Sequence, residues 1–269
     1  MNEDEKMRFL EKLDAERWSV ADKGEVAREY SPNLSECRII AVRSNPGEIA
    51  SLIAAEKALA DKNGYDVEWK VYDHDGHENL VNSLLAAGFK AEEQESVLVY
   101  PIANLNIQSV NNLTLPDGSK IVIVVDENGL EAVAQISHQI GRRNVDKEKQ
   151  ALSEILKTIP DQLSICVLSV NGEPVSCLRA YYPTNSIFAE LAGGRTKSTY
   201  RKKGFFTALI KHFLNEAAAR GCRAVLVDAL PTSEPIFRGL GFEFLTHTQP
   251  FTYTPAANQN EQGNTGETK

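Results

Sequence analysis

The sequence has few cysteines, no long apolar run and no excess of basic residues. Its 269 residues include four cysteines, none of them in a CxxC pair, which is typical of reduced thiols rather than of a disulfide-rich secreted chain. No stretch approaches the roughly 20 apolar residues that a membrane-spanning helix needs, and the first 18 residues are charged throughout, without an apolar signal core. We therefore expect a cytoplasmic protein that is neither exported nor embedded in a membrane.

Charge is distributed unevenly along the chain. The formal net charge is −8, with 12 basic and 21 acidic residues up to Leu105 and 17 basic and 16 acidic residues from Asn106 onward. A domain that binds duplex DNA or RNA normally has a broad basic excess, so we predict no nucleic-acid partner. One segment, Arg195–Lys203, holds five cations and no acid. Such a compact cluster suits a small polyanion, unless it is simply a solvated basic loop.

Hydrophobic spacing predicts an α/β protein, and its length allows one large domain or two ordinary ones. The first 30 residues are predicted as a charged helix that ends at Ser31-Pro32. Asn171-Gly172 predicts a tight hairpin turn. From residue 254 the sequence is polar without a hydrophobic period, so we predict a disordered tail over 254–269. The other main predictions are strands at 37–42, 67–72, 96–100, 163–170, 175–182, 187–196 and 224–229, and helices at 49–60, 79–87, 129–141, 147–159, 205–220 and 233–239.

A short pattern occurs twice. Residues 64–89 and 221–242 each run from a helix end through a strand and a second helix to a Gly-Phe pair just before another strand. Self-similarity of this kind indicates related units, although two generic α/β units can also converge on a glycine helix cap. We predict that residues 1–106 form a smaller, degenerate α/β domain whose layout is similar to that of a domain at 107–253.

The segment 187–206 predicts a strand, a basic turn and a helix. A helix N-terminus exposes unpaired backbone N–H groups and carries a partial positive charge, which suits phosphate. Gly204 allows close approach of the backbone, and Arg201, Lys202 and Lys203 add cations around it. The spacing fits neither the P-loop pattern GxxxxGK[ST] nor the dinucleotide pattern GxGxxG. These residues therefore predict a diphosphate site at the start of the helix.

The chain continues from the run Tyr200–Phe206 through an amphipathic helix that ends at Gly221, a buried strand AVLVDA and the pair Gly241-Phe242. In this order the features resemble the GCN5-related N-acetyltransferase (GNAT) superfamily. The resemblance extends from about Ser119 to Tyr253. It implies a mixed central sheet flanked by helices.

The diphosphate-loop pattern of that superfamily is Arg/Gln-x-x-Gly-x-Gly/Ala. Arg201 and Gly204 match it, whereas Phe206 stands where the superfamily has a small residue. The resemblance implies acetyl-CoA as co-substrate, with pantetheine along the backbone near 196–198 and the diphosphate on the amides of 202–207. The cofactor-binding residues implied in this way are Thr196, Lys197, Ser198, Arg201, Lys202, Lys203, Gly204, Phe205, Phe206 and Thr207.

Two residues are candidates for the chemistry. Glu190 lies eleven residues before the loop arginine, an offset at which some members of the superfamily carry a general base, and a carboxylate can accept the proton of an attacking amine. Alternatively, Glu190 pairs with Arg179 or Arg195. The superfamily often places a tyrosine four residues before the glycine of the Gly-Phe pair. Here that residue is Phe237, which cannot donate a proton. Ser233 could offer a hydroxyl to the sulfur, or could cap a helix.

The resemblance implies an acetyl-CoA-dependent N-acetyltransferase that acts on a small-molecule or peptide amine by direct attack on the thioester. The alternative is an acyl-CoA-binding or protein-interaction module with the same fold and no remaining catalysis, which Phe206 and Phe237 favour. We predict no metal site, because His74 and His77 lie in a turn without a supporting pair of ligands.

Overall fold

The computed structural model describes residues 1–45, 47–76, 79–106, 115–256 and 258. They divide into two compact units. The first comprises Met1–Val97, Leu230–Thr232 and the chain from Leu245, and the second comprises Leu98–Ala229 and Ser233–Phe244. The domain limits expected at 106/107 and 253/254 stay predictions, and the tail beyond residue 256 lies, except for residue 258, outside the described residues.

Helices and strands alternate along most of the described chain. The helices are α1 (Glu3–Arg17), α2 (Ile49–Asn63), α3 (Leu80–Ala86), α4 (Glu127–Gln139), α5 (Val145–Thr158), α6 (Phe205–Ala219) and α7 (Glu234–Gly239). The strands are β1 (Asp22–Lys23), β2 (Val26–Tyr30), β3 (Glu36–Val42), β4 (Asp66–Tyr72), β5 (Lys90–Ala91), β6 (Glu95–Pro101), β7 (Ser119–Ile123), β8 (Leu163–Val170), β9 (Glu173–Tyr181), β10 (Phe188–Thr196), β11 (Ala224–Ala229) and β12 (Glu243–Tyr253). Within the described residues, no helix has the length and apolar character to cross a lipid bilayer.

The sheet of the first unit has the strand order β1-β2-β3-β4-β12. Strands β3 and β4 are parallel and are joined by α2, whereas β12 runs antiparallel to β4 with Phe251 opposite Trp69. Both of these side chains are fully buried in the core of the unit. The sheet of the first unit therefore includes a strand that comes from the far end of the chain.

The prediction of one helix up to residue 30 is wrong. Helix α1 starts with a capping box between Asn2 and Glu5 and ends at Arg17, after which β2 pairs antiparallel with β3. Val26 and Ala27 of β2 are completely buried. The many charged residues around them suggested a helix surface, but burial against the sheet decides the local structure.

The second unit has the strand order β6-β11-β10-β9-β8-β7, in which β10 and β11 are parallel. Helix α6 contributes its apolar face to one core, and α4 and α5 contribute to another. The buried residues of α6 recur every three or four positions, as amphipathic packing requires; among them are Leu209, Ile210, Phe213, Leu214 and Ala217. Asn171 and Gly172 both have positive φ at the predicted hairpin turn.

The two units repeat one layout. In each of them a 15-residue helix joins two parallel strands, α2 between β3 and β4 and α6 between β10 and β11. After the next short helix, a left-handed glycine precedes a phenylalanine whose amide bonds back five residues, Phe89 to Leu84 (3.0 Å) and Phe242 to Phe237 (3.1 Å). The predicted α/β fold with a smaller first unit of similar layout is thereby confirmed.

Candidate functional site

Strand β10 has a bulge just where its pairing with β11 ends. The parallel register extends from Phe188↔Ala224 to Leu191↔Val227. On the other side, the register with β9 shifts between Ala192 and Arg195, where β10 contains one extra residue. A bulge bends its strand and increases the local twist. The end of β10 is therefore directed away from β11, which opens the edge between two parallel strands.

Two glycines allow close contacts on this bulge. Gly193 has φ +63°, and a Cβ there would lie 2.2 Å from Nη1 of Arg179. A Cβ on Gly194 would lie 2.4 Å from the ring of Phe206. Real Cβ atoms do not approach other atoms so closely. The bulge thus requires glycine at both positions as long as Arg179 and Phe206 keep their places.

Glu148 of α5 connects the bulge to the helical layer. Its carboxylate accepts hydrogen bonds from Arg179 (2.7 Å) and from both terminal nitrogens of Arg195 (2.7 and 2.6 Å). Arg195 also donates to Ser137 of α4 (2.5 Å). Burial alone would raise the pKa of Glu148, but the hydrogen bonds from Arg195 and the charges of both arginines outweigh it and lower the pKa from 4.5 to about 2. The group is an ion triad of two cations, the buried Arg195 and the partly buried Arg179, around one partly buried anion.

The chain between β10 and α6 has the geometry of an anion-binding loop. A 3₁₀ turn at Ser198–Tyr200 leads to Lys202 and Gly204, whose φ angles of +61° and +81° are both left-handed. The amide of Ala208 donates to the carbonyl of Gly204 (2.9 Å), so the amides of residues 205–207 precede the first intrahelical bond. Backbone N–H groups near left-handed residues at a helix start form a concavity that suits phosphate.

The five cations of the segment 195–203 fall into two groups. Arg195 and Lys197 are buried, with 8% and 4% of their surface exposed, and are paired with Glu148 and Glu173. The other three, Arg201, Lys202 and Lys203, are exposed. Arg201 donates from Nε to the carbonyl of Thr196 (3.2 Å). The external charge of the loop is therefore that of three residues rather than five.

The other predicted loop residues have partners inside the unit. Lys197 donates its amide to Val175 (3.0 Å) and its ammonium to Glu173 (2.9 Å). The hydroxyl of Thr196 lies 2.7 Å from that of Ser176. The amide and the ammonium of Lys197 thus each have a partner within the unit, whereas the amides of 205–207 lie before the first intrahelical bond of α6.

Glu190 is half-buried on β10, opposite Tyr181 of β9 and Leu226 of β11. It lies one residue before the pairing of β10 with β11 ends. At about 3.3 Å per residue, roughly 20 Å of strand separates it from Thr196 at the end of β10. Glu190 thus lies on β10 before the bulge, and the loop between β10 and α6 follows the bulge.

Three aromatic rings pack together beside the loop. Phe237 of α7, 2% exposed, makes edge-to-face contacts with Phe206 (5.7 Å) and Phe242 (5.1 Å). The ring of Phe206 is therefore directed towards Gly194 and Phe237, and its amide remains in the row at the helix start. Ser233 is at the N-cap position of α7, and its side chain makes no capping hydrogen bond.

The corresponding corner of the first unit carries the opposite charge. A cavity of about 480 Å³ lies where β3 leads into α2, and its charged lining residues are three carboxylates and one guanidinium: Glu25, Glu48, Asp75 and Arg43. Glu48 stands at the N-cap of α2, the position that Gly204 has in α6. Carboxylates at this corner disfavour a diphosphate.

His74 lies in an ion-paired cluster of the first unit. It is 2.8 Å from Asp14 and, with Asp75, the three side chains could in principle surround a cation. The guanidinium of Arg17 already binds Asp14 (2.6 Å) and both oxygens of Asp75 (2.8 and 2.6 Å). The positive charge in this cluster is thus supplied by the chain itself. His77 lies outside the described residues.

Comparison with known proteins identifies the second unit. The model of the acetyltransferase (GNAT) family matches residues 131–242. These residues form a GNAT domain. The match spans Glu190, the bulge, the anion-binding loop and Phe237, so the resemblance inferred from the sequence is confirmed. No curated protein shows significant sequence similarity to the chain.

Solved structures share the fold of most of the chain. A GCN5-related N-acetyltransferase from Kribbella flavida superposes with a TM-score of 0.62 at 16% identity, covering 95% of this chain and 96% of that one. One from Sphaerobacter thermophilus gives 0.60 at 12% identity, covering 88% and 83%. A tandem GNAT protein from the clavulanic acid biosynthesis pathway gives 0.59 at 13% identity, covering 82% and 75%. At these identities the likeness concerns the fold.

Sequence reasoning missed two acidic residues of the site, Glu148 and Glu173. Glu148 lies 47 residues from Arg195, and Glu173 lies 24 residues from Lys197. The hairpin turn at Asn171-Gly172 could have indicated that Glu173 is the first residue of β9. That position lies next to the end of β10, because β9 and β10 are antiparallel. Nothing in the local sequence around Glu148 distinguishes it from the other acids of α5.

The contact between Gly194 and Phe206 predicts a double-mutant effect. We expect Gly194→Ala to cost about 1–3 kcal/mol, because the added methyl group must displace the ring. In a Phe206→Ala background the same change should cost much less. Urea denaturation of the two single variants and the double variant measures this coupling. Gly239→Ala is the matched control, since a Cβ there meets nothing within 4 Å; equal costs in both backgrounds would contradict the contact.

The ion triad predicts a pH-dependent contribution to stability. We expect Glu148→Gln to lower the free energy of unfolding by about 3 kcal/mol at pH 7, because the buried guanidinium of Arg195 and the partly buried one of Arg179 lose their anion. The folded-state pKa of Glu148 is lowered from 4.5 to about 2, so its contribution is complete above pH 4.5 and is lost as the pH falls towards 2. Urea denaturation at several pH values should show the two proteins converging below pH 4.5. Glu131→Gln, which removes an exposed partner of Lys149, is the control; a gap that stays constant down to pH 3 contradicts the triad's role.

Proposed function

We propose that the chain is an acetyl-CoA-dependent N-acetyltransferase that acts on a small-molecule or peptide amine. The observation that carries the proposal is the row of amides at the start of α6 that precede the first intrahelical bond, directly after the left-handed residues Lys202 and Gly204. This arrangement lies within the GNAT domain.

The loop residues fit the charged part of the coenzyme. The amides of 205–207 would bind the diphosphate, and Arg201, Lys202 and Lys203 would neutralise its remaining charge. The pantetheine arm would follow the end of β10 near 196–198 towards Glu190. When bound, the coenzyme supplies the acetyl thioester.

Glu190 would act as the general base. An amine acceptor is protonated at neutral pH and must lose a proton before its nitrogen can attack. In the proposed step Glu190 takes up one proton of the ammonium, directly or through water, and the freed nitrogen forms a bond to the acetyl carbon. The bond from that carbon to sulfur breaks, the coenzyme leaves as a thiolate, and the second proton of the nitrogen goes to that thiolate through solvent. Its half-buried position next to the opened edge of the sheet supports this assignment.

The leaving sulfur would receive little help from the chain. Phe237 has no proton to donate and is packed against Phe206 and Phe242. A thiol with a pKa of about 8.5 is a tolerable leaving group without assistance. Ser233, at the N-cap position of α7, is the hydroxyl that we propose for this side of the site.

The second candidate is an acyl-CoA-binding module without turnover. Phe206 in place of a small residue and Phe237 in place of a tyrosine both favour it, because their rings occupy positions at which the superfamily has a small residue and a proton donor. The two candidates share the coenzyme site and differ only in whether acetyl is transferred. For either of them we propose a cytoplasmic location, which the four free cysteine thiols support.

Calorimetry and a turnover assay test the proposal. We expect the purified protein to bind coenzyme A and Arg201→Glu to bind it at least tenfold more weakly, because the reversed charge repels the diphosphate. Thiol release from acetyl-CoA in the presence of a panel of amines should then reveal turnover. Binding without release would support the module, whereas no binding by the wild-type protein would contradict both candidates.

Removing the proposed base should affect chemistry and not binding. We expect Glu190→Gln to lower the rate of acetyl transfer by about 100-fold near neutral pH and to leave coenzyme A affinity within about twofold. The comparison is a pH–rate profile from pH 6 to 9. An unchanged profile would show that Glu190 is not the base.

A further inference from the structure

Glu173, the first residue of β9, binds two side chains of the segment that leads to α6. Its Oε1 accepts from the ammonium of Lys197 (2.9 Å), and its Oε2 accepts from the hydroxyl of Tyr200 (2.8 Å). Lys197 is 4% exposed, whereas 47% of the Glu173 side chain is exposed. A carboxylate at the surface thus uses both of its oxygens on one short segment of chain.

Strand pairing brings Glu173 to this place. In the antiparallel pair of β9 and β10, Ser176 lies opposite Thr196, and the amide of Lys197 donates to Val175. Each further residue of β10 faces an earlier residue of β9, so the start of β9 extends past the end of β10. Glu173 therefore lies beside the 3₁₀ turn Ser198–Tyr200.

Tyr200, whose hydroxyl is bound by Glu173, contacts the anion-binding loop through its ring. The ammonium of Lys203 lies 5.0 Å from the centre of the Tyr200 ring, in a cation–π contact. The same ring packs against Phe205, the first residue of α6, at 6.1 Å. Fixing the Tyr200 hydroxyl therefore orients a ring that contacts both an exposed cation of the loop and the start of the helix.

Lys197 fixes the other end of the turn. A buried ammonium that loses its anion carries a large desolvation cost, so the pair with Glu173 keeps Lys197 in place. Hydrogen bonds from Lys197 and Tyr200 lower the pKa of Glu173 below its ordinary 4.5, and the carboxylate is charged at neutral pH. Both ends of the turn are thus held by one charged group.

We propose that Glu173 is a positioning residue for the diphosphate-binding loop, which it holds through Lys197 and Tyr200 so that Lys203 and the amides at the start of α6 converge on one anion. This inference rests on the proposed coenzyme site. It assigns part of the affinity for coenzyme A to Glu173, although Glu173 and the diphosphate are both negatively charged. A role confined to stabilising the hairpin is the alternative.

The sign of one substitution separates these roles. Removing a negative charge near an anion site strengthens anion binding if Coulomb attraction alone decides. If Glu173 positions the loop, Glu173→Gln weakens binding instead. We expect coenzyme A affinity to fall about tenfold, equivalent to about 1.4 kcal/mol, and affinity for pantetheine, which lacks the diphosphate, to stay unchanged.

Tyr200→Phe tests the same path with a smaller change. It removes one hydroxyl and leaves the ion pair with Lys197, so we expect a roughly threefold loss of coenzyme A affinity. The double variant with Glu173→Gln should lose no more than Glu173→Gln alone, because the hydroxyl acts through that carboxylate. Thermal melting of each variant reports whether the unit stays folded.

Glu127→Gln is the matched control. Glu127 also accepts from a lysine and a hydroxyl, Lys157 and Ser153, but on α4 and α5 rather than beside the loop. We expect it to leave coenzyme A affinity unchanged. Equal or tighter binding by Glu173→Gln, or an equal loss for pantetheine, overturns the positioning role. Absence of coenzyme A binding by the wild-type protein overturns the proposed function, and this inference with it.

Discussion

The bulge at residues 192–195 is the constraint on which the site of the GNAT domain depends. It directs the end of β10 away from β11, and it brings the chain to the point where the anion-binding loop starts. Two close approaches hold it, Arg179 against Gly193 and Phe206 against Gly194. A largely buried triad with two cations and one anion costs stability unless every charge is hydrogen-bonded. Its presence at the bulge indicates that this segment is shaped for a task rather than for stability.

The parts of the fold that could be predicted are those set by local pattern. Strand 224–229 was predicted with both of its limits, and helix α6 to within one residue, because apolar spacing and a glycine after the helix act over a few residues. The prediction of a helix over the first 30 residues is wrong because it too relied on local pattern. Strand β2 forms only because it is buried beside β3. Local pattern predicts an element well when the element would form without its neighbours.

For the proposed site, the sequence predicted an anion site at the start of a helix but not how the loop before that helix is held. Gly204 and Arg201 lie within four residues of the start of α6, so the sequence alone predicts their place beside the helix start. The partners of Arg195 and Lys197 are distant along the chain, and their choice depends on the register of β9 and the placement of α5. Because of this, the segment 195–203 suggested more external positive charge than the folded chain presents.

The two units have the same layout but residues of opposite charge at the corresponding helix starts. At equivalent helix starts the second unit has Gly204 and exposed cations, and the first has Glu48 with further carboxylates nearby. An acid at a helix N-terminus satisfies the helix dipole from within the chain. Layout and ligand preference are therefore separate properties of these units, as the reuse of folds for different tasks requires.

Strand β12 has a consequence for biosynthesis. It pairs with β4 in the sheet of the first unit, with Phe251 beside Trp69. A chain is made from its N-terminus, and domains generally fold in that order as they emerge from the ribosome. The first unit cannot follow this order, because its sheet stays open until residue 253 has been translated. The apolar face of this sheet must remain protected while the second unit is synthesised. Of the two units, the one whose translation starts earlier is therefore completed later.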